Sequence, residues 1–286
     1  MSAIKNKLIL TAAVTGGLHG KAANPNLPEQ PEEQIQHAVD AWKAGASIVH
    51  LHARDKDGKG TQDNDIYRSV YEGIRAAGCD MIIQYSTGGA MGMSAEERLS
   101  AIYAEPEMAS LNMGCVNYPL PDGTFTMSNN PPNEIEWYAE EMKKLNIKPE
   151  MEVYSPTMMT DVHNLINKGL IDAPYYVNFV MGMPAQGAIA ATWENLVYMV
   201  SLLPPDSVWN CCCVGRPQLH ITTTAMLMGG MVRIGMEDNI YYKRGQLIEA
   251  NKEVVARSAR LAEELQIEIA TPAEAREILG MEPVIL

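Results

Sequence analysis

Short runs of aliphatic and β-branched residues alternate along this chain with longer stretches in which apolar positions recur every three or four residues. The first pattern predicts buried strands, and the second predicts helices packed against them. Residues 8–16 read as a strand, and residues 31–44 as a helix that opens on Pro31 and Glu32 and stops before Gly45. Residues 47–54 form a second strand, 63–77 a helix halted by Gly78, and 81–86 a third strand. Ser94, with Glu97 three positions on, resembles a capping box and starts another helix. Residues 108–113 are a fourth strand, and the Pro-, Gly- and Asn-rich stretch 117–133 reads as a loop.

The rhythm continues with helix 134–145, strand 148–154, helix 157–168, strand 175–181 and helix 192–203, which Pro204 and Pro205 terminate. Strand 207–214, helix 219–228 and strand 231–236 follow, then a long amphipathic helix over 244–265 and a short one over 272–279. Eight strands, each followed by a helix, predict an α/β chain folded as one (β/α)8 TIM barrel over residues 1–286, with a C-terminal helical extension from about residue 266. A doubly wound sheet is the competing arrangement. It ordinarily uses fewer strands, and no G-x-G-x-x-G follows the first one.

Composition narrows the function classes. A formal net charge of −13 excludes a nucleic-acid backbone or an anionic membrane as the partner, so any anionic ligand must be held by local groups. Cys211, Cys212 and Cys213 stand side by side, without the spacing of a disulfide framework or a structural zinc site. They read as reduced core residues of a strand, which places the protein in the cytoplasm. Lys5 and Lys7 ahead of an apolar run resemble the start of a signal peptide, but the run is short and lacks a small-x-small cleavage context. We read it as the first strand. No apolar run is long enough to span a bilayer.

The second predicted strand carries the chemistry. His50 and His52 are two apart, so on a strand they face the same way and can converge on one ion. A barrel collects its active site at the C-terminal ends of its strands. Those ends hold Ser86, Thr87, Gly88 and Gly89 on strand three, Ser110 and Asn112 on strand four, Glu150 and Glu152 on strand five, and Arg233, Glu237 and Asp238 on strand eight. Two imidazoles and one carboxylate would leave zinc an open position. Glu237 is the favoured carboxylate, because strand eight lies next but one to strand two in a closed barrel; Glu152, paired with Arg233, is the alternative. His37 and His163 read as solvated helix residues, and His19 and His220 as candidate substrate contacts.

Six stretches together resemble the β-keto acid cleavage enzymes: T-A-A-V-T-G-G from Thr11, A-G-A-S-I-V-H-L-H-A-R-D from Ala44, T-Q-D from Thr61, Q-Y-S-T-G-G-A-M-G-M from Gln84, V-G-R from Val214 and M-G-G-M-V-R-I-G-M-E-D-N from Met228. The resemblance implies a zinc-dependent barrel, with one zinc per subunit, that assembles as a homo-oligomer, a tetramer being favoured. It implies a retro-Claisen exchange in which a β-keto acid and the co-substrate acetyl-CoA become acetoacetate and an acyl-CoA. By that resemblance His50, His52 and Glu237 match the zinc ligands, and Arg233 and Asp238 the catalytic pair, with Asp238 as base. Ser86 matches a catalytic and substrate-contacting position, Gly89 and Ser110 match substrate contacts, and Glu150 or Glu152 matches a glutamate at the end of strand five.

One departure bears on substrate. Members acting on an amino-substituted keto acid carry a glutamate after the first strand, where this chain has Leu18. A leucine cannot neutralise a buried cation, so the expected acyl tail is uncharged. Two other classes compete: a metal-dependent hydrolase of the amidohydrolase type, which would need histidines at the ends of strands five and six, and a non-catalytic metal-binding barrel.

Overall fold

The computed structural model describes residues 7–120 and 122–284. In chain order its strands are β1 (Leu10–Ala13), β2 (Ile48–Leu51), β3 (Ile82–Tyr85), β4 (Met108–Asn112), β5 (Val116–Pro119), β6 (Phe125–Ser128), β7 (Lys148–Val153), β8 (Tyr175–Met181), β9 (Ser207–Cys213), β10 (Met231–Ile234), β11 (Tyr241–Lys243) and β12 (Gln246–Leu247). Eight of them close a parallel barrel in the order β1-β2-β3-β4-β7-β8-β9-β10, with β10 returning to β1. The closure Thr11↔Arg233 rules out the doubly wound sheet, whose edges stay open.

The helices are α1 (Pro31–Lys43), α2 (Asn64–Ala76), α3 (Ala95–Leu99), α4 (Pro132–Lys144), α5 (Met159–Asn167), α6 (Trp193–Val200), α7 (Gln218–Leu227), α8 (Asn251–Glu264) and α9 (Pro272–Leu279). Their apolar stripes cover outward-facing strand residues such as Val49, Leu51, Ile83 and Leu111, all buried. Inward positions differ. Barrel interiors are usually packed with branched apolar side chains, yet Thr11, His50, Gln84, Ser110, Glu150, Asn178, Asn210 and Arg233 all lie buried on that side.

Three differences from the sequence expectation matter. The region read as a loop after β4 contains the antiparallel hairpin β5–β6. The last long helix begins at Asn251 and not near residue 244, because Gly245 takes a left-handed φ of +77° and turns the chain between β11 and β12. Asn251 then acts as a clamp: its Oδ1 accepts from Met236 N at 2.9 Å, and its Nδ2 donates to Val14 O at 3.0 Å and to His37 Nδ1 at 2.9 Å. His37 is therefore a packing residue between α1 and α8, and the ends of β1 and β10 are tied to one side chain.

At the opposite end, α9 follows a bridge between Leu8 and Ile269 and is fixed by Glu107, which pairs with Arg276 at 2.7 Å and Arg75 at 2.5 Å.

Candidate metal centre and active site

Strand alternation places His50 inside the barrel at the end of β2 and His52 above it, just past the strand. Their Nε2 atoms are 3.2 Å apart. Glu237, on the turn after β10, brings Oε1 to 3.5 Å from His50 Nε2 and 3.3 Å from His52 Nε2. Regular tetrahedral ligation by zinc, with bonds of about 2.0–2.1 Å, puts ligand atoms roughly 3.4 Å from one another. The three donors already stand at that spacing.

Their electrostatics agree with ligation. Burial pushes His50 down to about 3, so its imidazole is neutral at pH 7. Burial alone would raise Glu237, but the Arg233 guanidinium, followed by His50 and His52, holds its carboxyl well below the usual range. The second carboxylate oxygen, Glu237 Oε2, is buried without a hydrogen-bond partner among the described residues. Gly16 makes room for this group: at φ +73°, a Cβ there would stand 2.6 Å from Glu237 Cγ and 3.1 Å from its Cα. The glycine after the first strand thus has a steric reason tied to the centre.

Arg233 is buried and holds three carboxylates. It donates from Nη1 to Glu152 Oε1 at 3.0 Å, from Nη2 to Asp238 Oδ1 at 2.9 Å, from Nε to Asp238 Oδ2 at 3.2 Å, and from Nη2 to Glu237 Oε1. One cation against three ionised acids leaves an excess of two negative charges. Glu152 relieves part of it, since burial pushes its carboxyl up to about 8. Asp238 is likewise raised by burial, against the pull of Arg233. A divalent ion at the triangle would offset the negative charge that remains, and two imidazoles with one carboxylate are a donor set that fits zinc.

These groups line a cavity of ≈ 120 Å³ together with Ser86, Gly88, Gly89, Asn112, Leu18 and His19. Ser86 Oγ accepts from Gly88 N at 3.1 Å, which shapes the loop after β3. Gly89 takes φ +65°, and a Cβ there would press on Arg98 Cγ at 2.6 Å. Arg54 staples the loop after β1, donating from Nε to Gly16 O at 3.0 Å and from Nη2 to His19 O at 2.8 Å, and so carries Leu18 to the mouth.

Three candidate contacts sit elsewhere. Ser110 and Glu150 are register partners one layer, roughly 7 Å, below Asn112 and Glu152. Glu152 therefore faces the cavity, and Glu150 does not. Ser110 accepts from Thr87 N at 3.2 Å and supports the loop after β3 from beneath. His220 is exposed and away from the lining.

Several lining groups escaped the sequence reading. Val116 and Tyr118 come from the β5–β6 hairpin, Cys212 from β9, and Met183 and Gln186 from the turn after β8. Gln84, whose Oε1 lies 2.8 Å from His50 Nδ1, is two residues before Ser86 on a predicted strand, so parity alone could have found it. Glu152 and Val180 occupy strand ends where the hydrolase alternative needs histidines.

Comparison with known proteins gives the family and the fold. The model of the family described as beta-keto acid cleavage enzyme matches residues 7–281. The chain is 42% identical over 275 residues to the 3-keto-5-aminohexanoate cleavage enzyme of Acetoanaerobium sticklandii, covering 96% of this chain and 98% of that protein. It is 36% identical over 277 residues to the 3-oxoadipate:acetyl-CoA acetyltransferase of Cupriavidus necator, covering 96% and 94%. Among solved structures, apo ObcA superposes with a TM-score of 0.72 at 18% identity, over 91% of this chain and 66% of that one, and attests the fold.

Proposed function

The chain belongs to the β-keto acid cleavage enzyme family, and on that footing we propose that the cavity above His50, His52 and Glu237 is where it exchanges the acyl group of a β-keto acid with acetyl-CoA. The observation that carries this reading is the triangle of donor atoms, 3.2, 3.3 and 3.5 Å on its edges. One zinc per subunit, bound there, would draw electron density from the carbonyl oxygens of the keto acid.

The chain's own residues supply the rest. Asp238, aimed by Arg233 through both oxygens, takes the proton from the carbon between the two carbonyls. That carbon bonds to the acetyl carbonyl carbon of acetyl-CoA, and the carbon–sulfur bond breaks. The released thiolate attacks the original ketone carbon. The old carbon–carbon bond then breaks, leaving acyl-CoA and the enolate of acetoacetate, which takes its proton back from Asp238. Ser86 and the backbone at Gly89 contact the substrate, Ser110 acts through Thr87, and Glu152 in place of Glu150 reaches the cavity. Leu18 at the mouth favours an uncharged acyl tail.

The reading includes an assembly of identical copies, a tetramer being favoured; Trp193, Val197 and Tyr198 leave one side of α6 apolar and exposed, which supports it. The cytoplasm is the expected location, on the strength of five free cysteines. Among the described residues no helix is long and apolar enough to cross a membrane.

The test is incubation with acetyl-CoA and a panel of 3-keto acids, with metal analysis alongside. Acetoacetate should form, with activity lost on chelation and restored by zinc. No acetoacetate across the panel overturns the reaction, and full activity without any divalent ion overturns the metal assignment.

A further inference from the structure

Below the cavity floor, polar groups from four strands meet inside the barrel. His50 Nδ1 lies 2.8 Å from Gln84 Oε1, and Asn178 Nδ2 donates to Glu150 Oε1 at 2.9 Å. Gln84, Glu150 and Asn178 are fully buried. The remaining ends of the first two, Gln84 Nε2 and Glu150 Oε2, have no hydrogen-bond partner among the described residues. Burial raises the Glu150 carboxyl above its ordinary value, and Arg233, Gln84 and Asn178 pull it back toward the ionised form. One is a donor and the other, when ionised, an acceptor, and a buried polar end is costly to leave unpaired. The structure draws no bond between them; paired with one another, both ends would be satisfied.

We propose that Glu150 and Gln84 are positioning residues that hold His50 in its Nδ1–H tautomer, so that the Nε2 lone pair faces the cavity before any metal arrives. The proposal rests on reading His50 as a ligand. Its logic is a count of donors and acceptors, independent of how the amide of Gln84 is drawn. An ionised Glu150 bonded to Gln84 only accepts, so Gln84 turns its NH2 toward Glu150 and its carbonyl toward His50, where the structure has it at 2.8 Å. A carbonyl only accepts as well, so His50 must carry its hydrogen on Nδ1. The neutral ring then has a bare Nε2, the atom that lies 3.2 Å from His52 Nε2 and 3.5 Å from Glu237 Oε1. With the amide reversed, the hydrogen would sit on Nε2 and block ligation. Glu150, one layer too deep to touch substrate, thereby gains a role.

Two measurements test this. In metal-free wild type labelled with 15N at histidine, long-range 1H–15N spectra should show His50 as the Nδ1–H form, with its signals assigned by their loss in His50→Asn. An Nε2–H His50 overturns the proposal. Competition between the protein and a chromophoric chelator for Zn2+ or Co2+ should show Gln84→Met and Glu150→Met binding roughly ten- to a hundredfold more weakly. The exchange Gln84→Glu with Glu150→Gln places an acceptor-only group beside His50 and a donor beneath it, and should restore affinity to within a few-fold. If wild type binds neither ion, the reading of the centre fails. If wild type binds and the methionine variants bind equally well, or the exchange does not rescue, the relay fails. Should a variant not fold, the wild-type spectrum decides.

Discussion

Asp238→Asn tests the proposed chemistry most directly, because it removes the capacity to accept a proton while preserving shape. Asp238 is 3% exposed and takes two bonds from Arg233, at 2.9 and 3.2 Å. Asparagine keeps one oxygen for that guanidinium and turns an NH2 toward the other nitrogen, so one charge-assisted bond is lost. Arg233 retains Glu152 at 3.0 Å and its contact to Glu237, and folding stability should fall by no more than about 1.5–3 kcal/mol. Turnover should fall about 10²–10⁴-fold, the usual contribution of a positioned base. That corresponds to roughly 3–5 kcal/mol of barrier. Zinc content should be unchanged, since the three donor atoms belong to other residues. The assay is acetoacetate formation under saturating acetyl-CoA, with zinc measured on the same sample. Burial raises Asp238 above its ordinary value, and a base works only when ionised. Wild-type activity should therefore fall on the acid side through a pKa above 3.8, and the variant should lack that limb. Turnover within tenfold of wild type at full zinc occupancy would remove Asp238 from the reaction.

Three further outcomes follow from particular contacts. Gly16→Ala would drive a Cβ to 2.6 Å from Glu237 Cγ, and should weaken zinc binding by about tenfold or more; Gly229→Ala, at φ +79° with nothing within 4 Å, should strain the backbone alone and leave zinc affinity intact, so equal affinities in the two variants would sink the steric argument. Leu18→Glu, at a position 47% exposed, should move the kcat/KM ratio toward 3-keto acids with an ammonium on the tail by about tenfold, the low end for a charge-assisted contact. An unchanged ratio across the panel would place the tail elsewhere. In metal-free protein, His50 is neutral when folded and has its pKa lowered from 6.5 to about 3, so stability should be complete above 6.5 and drain away as pH falls toward 3. The loss reaches about 3 kcal/mol by pH 4 as an order of magnitude. His50→Asn should flatten that part of the pH–stability curve in urea unfolding, and an unchanged slope would contradict it.

Much was legible before any coordinates. Period-two and period-3.6 patterns marked all eight barrel strands, and the H-x-H parity put His50 and His52 on one face. The misses have local causes. The β5–β6 hairpin is short and exposed along β6, so it lacks an apolar face and reads as loop, which hid Val116 and Tyr118. Residues 244–250 read as the first turns of the last long helix, but the left-handed Gly245 turns them into the hairpin β11–β12 instead. Glu150 and Glu152 share one strand face, so no alternation rule could separate them. Depth along the barrel axis did.

The sequence by itself determined the elements, the barrel and the identity of the chemical groups, because side-chain periodicity and backbone preference act over a few neighbouring residues. The sequence favoured Glu237 as the carboxylate only by way of the expected barrel closure, and it is the folded chain that brings its oxygen to the imidazoles, through the pairing of β10 with β1 and across sequence separations of 185 and 187 positions. Which acid stays at the cavity and which lies buried beneath it was settled by barrel register, a relation between strands that no stretch of sequence contains.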